Sequence, residues 1–332
     1  MRYGVIGGGG MARAHAGHVV RLPGAVLAAV AAPDIHADLI ALAHSVGATV
    51  GTDVDALISR TDIDAVIIAT PTDTHAGLTI AALQAGKDVL VEKPIARTVA
   101  EGEAMAATAH RHGRKLLCGQ VVRYFAEYAT AHDLIVAGSI GTVGVARTSR
   151  AGAHPPATSW YADTSRSGGV ALDLLIHDVD WLLWTFGPVA RIYARGLTAR
   201  QIPGRDGVLA ILRFANGVIA HVEANWAYPG GFTTTLEVAG SDGIVAHTNT
   251  GVTDLRMHAQ TGSPAQLAKD PAAREDPYYA QLCAFDTWIR GGAAPRSTPA
   301  SSIESLRIAL AIAASAADGT VYHAPLHTGA HA

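Results

Sequence analysis

Residues 2–12 read Arg2-Tyr3-Gly4-Val5-Ile6-Gly7-Gly8-Gly9-Gly10-Met11-Ala12. A short strand-like run ends in a glycine cluster, and a helical pattern follows through about Leu22. Gly7, Gly9 and Ala12 fit the spacing glycine-x-glycine-x-x-glycine/alanine of a dinucleotide-binding turn. On that reading Gly7 allows the tight turn, Gly9 the close approach of a pyrophosphate, and Ala12 the close helix–strand contact. Gly10 and Met11 complete the turn, where free N–H groups at the helix start can hold the pyrophosphate. A bare glycine-rich loop would give the same letters. Its place, after a strand and before a helix, favours the binding turn.

Outward from this turn the chain alternates. Val26 to Ala31 reads as a second strand, followed by Ala32-Pro33-Asp34 and a helix through about Gly47. A carboxylate at the end of that strand normally grips the adenosine ribose. Asp34 stands two residues late for the role and can instead cap the helix. No arginine is expected nearby to welcome a 2′-phosphate, which slightly favours NAD over NADP. Thr49-Val50 is a short strand and Asp53 to Ser59 a helix. Ala65 to Ala69 is a buried strand closing on Thr70-Pro71-Thr72, which suits a ribose or nicotinamide or a plain turn. Gly77 to Ala85 is helical, Asp88 to Val91 a strand, 98–112 a helix and Leu116 to Cys118 a sixth strand. This alternation predicts a parallel sheet covered on both faces.

Composition narrows the class. The chain has 332 residues, enough for two domains, and 49% of them are apolar, which supports a sizeable core. A formal charge of -3 argues against nucleic acid or an anionic membrane as a required partner. Cys118 and Cys283 show no paired ligand spacing, so neither a disulfide framework nor a structural zinc site is expected. The start lacks the pattern of a signal peptide, and apolar runs are interrupted before membrane-spanning length. A cytoplasmic location is expected. Only four lysines occur, at 87, 93, 115 and 269, so Lys93 is one of few candidate ammonium groups.

Lys93 belongs to Val89-Leu90-Val91-Glu92-Lys93-Pro94, a buried strand that ends in a charged turn. Parallel sheets bind ligands at such carboxyl ends. Proline holds the Lys93 backbone extended, and an ammonium fixed there can pair with a substrate hydroxyl. Glu92 can orient the lysine or the nicotinamide ribose. A surface salt pair at a turn is the plainer alternative.

The second half offers Gly168-Gly169-Val170-Ala171-Leu172-Asp173-Leu174-Leu175-Ile176-His177-Asp178-Val179-Asp180. A helix from about Val170 to Phe186 puts Asp173 and His177 on one face. The carboxylate can support an imidazolium, which makes His177 a candidate base. A satisfied core histidine, or two ligands of a metal without a visible third, are the other readings; no metal is expected.

The glycine-rich first turn, Ala69-Thr70-Pro71 with His75, Glu92-Lys93-Pro94 and the Gly168–Asp180 stretch together resemble the glucose-fructose oxidoreductase/inositol dehydrogenase/rhizopine catabolism (Gfo/Idh/MocA) family. The resemblance extends over nearly the whole chain. It implies an α/β fold: an N-terminal Rossmann dinucleotide-binding domain, 1–120, and a C-terminal α+β domain with a largely antiparallel open-faced sheet, 121–332. It implies Lys93, Asp173 and His177 as the catalytic group, also touching substrate. Gly7, Gly9, Gly10, Met11, Ala12, Asp34, Thr70, Pro71, Thr72, His75, Glu92 and Lys93 would face the cofactor. Relatives use NAD or NADP, and NAD-specific ones commonly carry an acid where this chain has Ala32. The Lys-Pro bond is often cis in relatives.

The rest of the second domain follows. Arg123 and Tyr124, in the crossing segment 120–125, resemble substrate-lining positions of relatives; Tyr124 can also be hinge packing. Tyr128 to Ala137 is a helix and Val143 to Arg150 a strand. Residues 152–167 lack periodicity and read as a substrate-side loop, with Trp160 facing a ring or anchoring the loop. Strands are expected at Val189–Gly196, Val208–Phe214, Val218–Trp226, Thr233–Ala239 and Gly243–Thr248, giving a sheet of about six, with a hairpin at Asn216-Gly217. Trp226 and Tyr228 fit an interface or a substrate edge. Residues 256–275 read as a loop, Tyr278 to Arg290 as a helix and Ile303 to Ala317 as the last helix, capped by Ser301 or Ser302. Relatives use the open sheet face for subunit contact, so a homo-oligomer, dimer or tetramer, is expected.

The resemblance implies hydride exchange between a nicotinamide and a secondary alcohol of a cyclic polyol or sugar. His177 would take the hydroxyl proton and Lys93 would stabilise the alkoxide. A keto-sugar reductase, a sugar-to-sugar oxidoreductase with retained cofactor, and a non-enzymatic NAD(P)-binding regulator are the alternatives.

Overall fold

The structure is a computed structural model that describes residues 1–197, 206–251, 253–259, 265–268 and 275–323. Much of the segment 256–275, Lys269, and the tail after His323, expected to be frayed, lie outside these residues. In chain order the elements begin with β1 (Arg2–Ile6), α1 (Gly10–Arg21), β2 (Val26–Ala31), α2 (Ala37–Ser45), β3 (Thr49–Gly51) and α3 (Val54–Ile58). They continue with β4 (Ala65–Ile68), α4 (His75–Gln84), β5 (Asp88–Val91), α5 (Val99–Arg111) and β6 (Leu116–Cys118). After α6 (Ala126–Val136), β7 (Val143–Ala151) and α7 (Thr164–Ser167), a π-helical turn, Ala171–Leu175, leads into α8 (Ile176–Phe186). Next come β8 (Val189–Leu197), β9 (Gly207–Phe214), β10 (Ile219–Asn225), β11 (Thr233–Gly240) and β12 (Gly243–Thr248). The chain closes with β13 (Thr253–Ala259), β14 (Ala265–Ala268), α9 (Pro277–Ile289), α10 (Pro299–Asp318) and β15 (Tyr322–His323).

The first compact unit comprises Met1–Tyr124 and Glu275–Ile303. Its six strands are all parallel, in the order β3-β2-β1-β4-β5-β6. This is the doubly wound order, with the topological switch between β1 and β4. Helices cover both faces, so β4 and the interior of β5 must be apolar without alternation, as Ala65–Ile68 and Val89–Val91 are. Register aligns the strand ends: Ile6 pairs with Ile68, Ile68 with Val91, and Val91 with Cys118. Gly7, Ala69, Glu92 and Gly119 therefore start one row along the carboxyl edge of the sheet.

The division expected at 120/121 lies beside the end of the first unit's N-terminal part, and 275–303 packs with that unit as well. Asp276 caps α9, with Pro277 at its first position. Leu282 and Phe285 are fully buried in the core that holds Tyr3, Val5 and Ala16. The Tyr3 hydroxyl donates to Asp286 at 2.7 Å, and Arg290 Nε donates to the other Asp286 oxygen at 2.6 Å. These partners stand some 280 residues apart in sequence, beyond the reach of local pattern.

The second unit comprises Phe125–Arg274 and Glu304–Ala332. Its sheet has nine strands, not about six, in the order β14-β13-β12-β11-β7-β10-β9-β8-β15. Only β7 and β10 pair in parallel; every other pairing is antiparallel. β13 and β14 occupy part of the stretch expected to be loop; short edge strands can be held by backbone pairing with little apolar pattern. The hairpin at Asn216-Gly217 forms, joining β9 to β10. One face of the sheet is buried and the other open, so β9 alternates buried and exposed positions from Val208 to Phe214. The last helix starts at Pro299, four residues early, and Thr298 rather than a serine caps it, accepting from Ser301 N at 3.1 Å. α10 is long and apolar enough to cross a membrane by length and composition. It is tied into the second unit, where Ser305 donates to Asp180 at 2.8 Å and Ser315 accepts from Ala194 N at 2.8 Å.

Candidate active site

The glycine turn divides its labour differently along its length. Gly7 has φ +138°, and a Cβ there would strike the Ala69 carbonyl oxygen and lie 3.2 Å from the Ala12 methyl. Gly7 and Ala12 thus let α1 close on the sheet. A Cβ on Gly8 would strike the Asp34 carbonyl oxygen. At Gly9 and Gly10 a Cβ would meet nothing within 4 Å among the described residues. Gly9 caps α1 without a side-chain bond, and the first turn, with Gly10, Met11 and Ala12, holds no acid. Unclaimed N–H groups and the positive helix end face that open cradle, which fits a dinucleotide pyrophosphate.

The loop after β2 settles one alternative. His36 occupies the cap position of α2, without a side-chain bond, so Asp34 does not cap that helix. Its exposed side chain stays available at the end of β2. An arginine does stand nearby in space: Arg13 Nη1 lies 3.1 Å from Asp38 Oδ2, beside His36. The 25-residue separation hid this from the sequence.

At the end of β4, Thr70 and Thr74 hydroxyls lie 2.7 Å apart, and Thr74 also donates to the Pro71 carbonyl at 2.7 Å. Thr72 is buried in the short turn that follows. His75 is sealed, with Nδ1 2.8 Å from the Pro94 carbonyl and Nε2 3.0 Å from the Thr70 carbonyl. Both ring nitrogens face backbone carbonyls, to one of which the neutral ring donates, and the ring lies between the two loops. Burial pushes its pKa down, against the pull of the two carbonyls and of Glu92.

The Lys93–Pro94 peptide is cis. From Val89 to Ala96 every residue is buried except Lys93. Glu92 accepts the Lys93 backbone N–H at 3.2 Å on Oε2. Its Oε1 lies 2.7 Å from Nε2 of His15, a fully buried residue of α1. Glu92 thus holds the lysine's backbone and packs inward on a histidine.

Arg123 and Tyr124 have occupations inside the first unit. Arg123 Nη1 donates to the Arg296 carbonyl at 2.7 Å, and Arg296 returns a bond to the Arg123 carbonyl at 2.5 Å. The Tyr124 hydroxyl accepts from Arg296 N at 3.2 Å, and that guanidinium sits over its ring. These contacts favour the packing reading of Tyr124.

In the second unit, Gly168 and Gly169 both take positive φ, +83° and +70°, a pair that side chains at both positions would strain. They turn the chain into the π-helical segment containing Asp173, where a regular helix was expected. π turns occur often at functional sites. From Val170 to Leu182 every residue is buried except Asp173 and His177. The neighbouring acids are committed inward: Asp178 to Arg150 at 2.8 Å, Asp180 to Ser305. Asp173 also lines a cavity of about 340 Å³, together with Tyr161, Leu174, Trp226 and Phe232. Trp160 stacks on Tyr161, rings 3.9 Å apart, and it is Tyr161 that reaches the cavity. Trp226 lines the same cavity as Asp173.

Sequence reading missed His15 and Phe232, and within the loop 152–167 it singled out Trp160 rather than Tyr161. His15 gave no signal beyond a lone histidine on an apolar helix. Tyr161 and Phe232 sat in glycine- and proline-bearing loops, where no periodicity marks a facing direction.

Comparison with known proteins agrees with this geometry. Residues 1–120 match the family GFO_IDH_MocA, "Oxidoreductase family, NAD-binding Rossmann fold", and residues 128–246 match the GFO/IDH/MocA C-terminal domain. The chain is 31% identical to 1,5-anhydro-D-fructose reductase of Ensifer adhaerens over 99% of both chains. It is 34% identical to inositol 2-dehydrogenase of Rhizobium meliloti (strain 1021) over 75% of this chain and 76% of that one. The structure of GenD2 from gentamicin A biosynthesis in complex with NAD superposes with a TM-score of 0.87 at 26% identity, covering 98% and 96% of the two chains. An NAD-type dinucleotide cradle in the first unit and half-buried Asp173 and His177 in the second thus agree with full-length kinship: the chain belongs to the GFO/IDH/MocA family of NAD(P)-dependent oxidoreductases.

Proposed function

We propose that this oxidoreductase exchanges hydride between NAD and a secondary alcohol carbon of a cyclic polyol or sugar. One observation carries the reading. In each unit a buried stretch comes to the surface only at the residues that such chemistry needs: Lys93 within 89–96, and Asp173 with His177 within 170–182. Buried stretches that expose only ionisable groups are unusual unless those groups act on a ligand.

The nicotinamide, when bound, supplies the hydride acceptor or donor. Gly7, Gly9, Gly10, Met11 and Ala12 hold the pyrophosphate, Asp34 the adenosine ribose, and Thr70 to Thr72 the strand end beneath the nicotinamide side. His177 takes the hydroxyl proton, and Asp173 favours its imidazolium form. Lys93 donates to the same oxygen and stabilises the charge that develops on it. The aromatic lining from Tyr161, Trp226 and Phe232 suits the apolar face of a pyranose or cyclitol. NAD is favoured over NADP because the Arg13 guanidinium is already engaged by Asp38.

A second reading, reduction of a keto-sugar, is favoured by the full-length similarity to 1,5-anhydro-D-fructose reductase. One absorbance screen separates the two. Inositols, aldoses and their keto or lactone forms are run in both directions with NAD(H) and NADP(H). Oxidation of a polyol or aldose with NAD supports the first reading, and faster reduction of a keto-sugar the second. Binding of NAD without turnover of any member would overturn both and leave a regulator.

The open face of the nine-stranded sheet suits a second copy of the chain. Tyr193, Leu209, Ile211, Ile219 and Ile244 are all 37–46% exposed on it. Tyr193 pairs with Ile211 across β8 and β9, so several of these form a contiguous apolar surface.

A further inference from the structure

We propose that His15 is a positioning residue for Lys93, acting through Glu92. The inference rests on the role given to Lys93 above. His15 projects from α1, one turn past the glycine cradle. Its Nε2 lies 2.7 Å from Glu92 Oε1, while Glu92 Oε2 accepts the Lys93 N–H at 3.2 Å. The carboxylate therefore bridges the imidazole and the lysine's own peptide.

The proton arrangement follows from burial. His15 is 0% exposed, and its Nδ1 has no hydrogen-bond partner among the described residues. A proton on Nδ1 would be buried without an acceptor, so Nε2 carries the proton that is donated to Glu92. Glu92 itself is 7% exposed. A buried carboxylate persists only when donors compensate for lost water. Burial raises its pKa, but the His15 hydrogen bond, with the Lys93 ammonium beside it, brings the balance below the ordinary glutamate value. His18 is on the same helix, Lys93 follows in the turn, and His75 reaches the turn from α4. Cys118 on β6 approaches the Glu92 carbonyl at 4.0 Å, and the Tyr278 ring of α9 meets His15 edge-on at 6.2 Å.

Two consequences reach Lys93. An ionised Glu92 keeps a negative charge beside the ammonium and favours its charged form. The bond to the Lys93 N–H also fixes the peptide preceding the cis Lys93–Pro94 bond. Removing the His15 donor would let Glu92 protonate near neutral pH and weaken both.

The test compares His15→Leu, which removes the donor, with His15→Gln, whose amide can replace it. Infrared spectra of the cofactor-free proteins report whether a buried carboxyl is protonated, with Glu92→Gln assigning the band. The expected result is a protonated carboxyl in His15→Leu at pH 6 that ionises as the pH rises, and none in the wild type or His15→Gln. In turnover, His15→Leu should lose at least tenfold in kcat at pH 6 and recover toward pH 8.5, while His15→Gln follows the wild-type profile. Glu92→Gln should show the same loss without recovery, which keeps the test open if His15→Leu does not fold. An ionised carboxyl in His15→Leu, equal losses in both His15 variants with unshifted profiles, or a wild-type kcat in Glu92→Gln would overturn the proposal. The infrared arm needs no turnover, so it separates failure of this coupling from failure of the proposed reaction.

Discussion

Arg150 Nε lies 2.8 Å from Asp178 Oδ2 and its Nη2 3.3 Å from Oδ1, with the two side chains 6% and 0% exposed. This forked ion pair joins β7 to the helix that displays His177 at the preceding position. Two charges so deep are held by each other, and neither survives alone without cost.

Asp178→Asn or Arg150→Met alone should therefore destabilise the protein by about 3–5 kcal/mol, read as a lowered Tm or denaturation midpoint. Replacing both, as Arg150→Met with Asp178→Leu, should recover much of that loss. Single variants with wild-type midpoints would show that the pair adds nothing to the packing of α8.

Gly7→Ala tests the cradle. The added methyl meets the Ala69 carbonyl at a φ of +138° that side chains rarely adopt. Strain of this kind costs roughly 1–3 kcal/mol. NAD affinity should fall at least tenfold by calorimetric titration, whereas Gly9→Ala, with open space in the protein itself, should leave Tm unchanged and weaken only binding. An unaffected Tm in Gly7→Ala would contradict the close approach of α1 to the sheet.

His75 sets a pH dependence of stability. Its folded-state pKa is depressed by burial, below the ordinary histidine value. The stability it allows is thus fully present above about pH 6.5, the unfolded value. It is lost as the pH falls from there toward the lower folded value, by up to ~1.4 kcal/mol per pH unit, because the unfolded chain takes up a proton that the folded one refuses. Melting curves between pH 8 and 5.5 should show a steeper decline for the wild type than for His75→Gln. Parallel declines would mean that His75 is protonated in place by its two carbonyl partners.

The first unit was largely legible because parallel-sheet physics writes itself into sequence. Ala65–Ile68 and Val89–Val91 must be apolar throughout when both faces are covered, and the glycine turn must sit between strand and helix. Lys93 was visible as an ammonium at a strand end, and Asp173 with His177 as a pair at helical spacing. What stayed hidden depends on distant partners. His15 looks like any helical histidine until β5 brings Glu92 to it, and Arg13 looks remote from Asp38. α9 has an ordinary helical pattern that does not say which core receives Phe285. β13 and β14 are held by backbone pairing at the sheet edge, which leaves little trace in side-chain pattern.

The open sheet face predicts self-association. Sedimentation should find a dimer or tetramer for the wild type, and Leu209→Glu with Ile211→Glu should shift it toward monomer without unfolding, since both side chains are more than 40% exposed. A wild-type monomer, or an assembly indifferent to these charges, would contradict the assignment of this face.

The central claim is that hydride passes directly between substrate carbon and cofactor while Lys93 and His177 manage the oxygen and its proton. A polyol or sugar deuterated at the reacting carbon, given NAD and the wild-type enzyme, should place the deuterium in the reduced nicotinamide, read by mass spectrometry. His177→Ala and Lys93→Met should slow that label transfer by about 10²–10⁴-fold at neutral pH while still binding NAD. Deuterium lost to solvent, or either variant transferring label at the wild-type rate, would contradict the account.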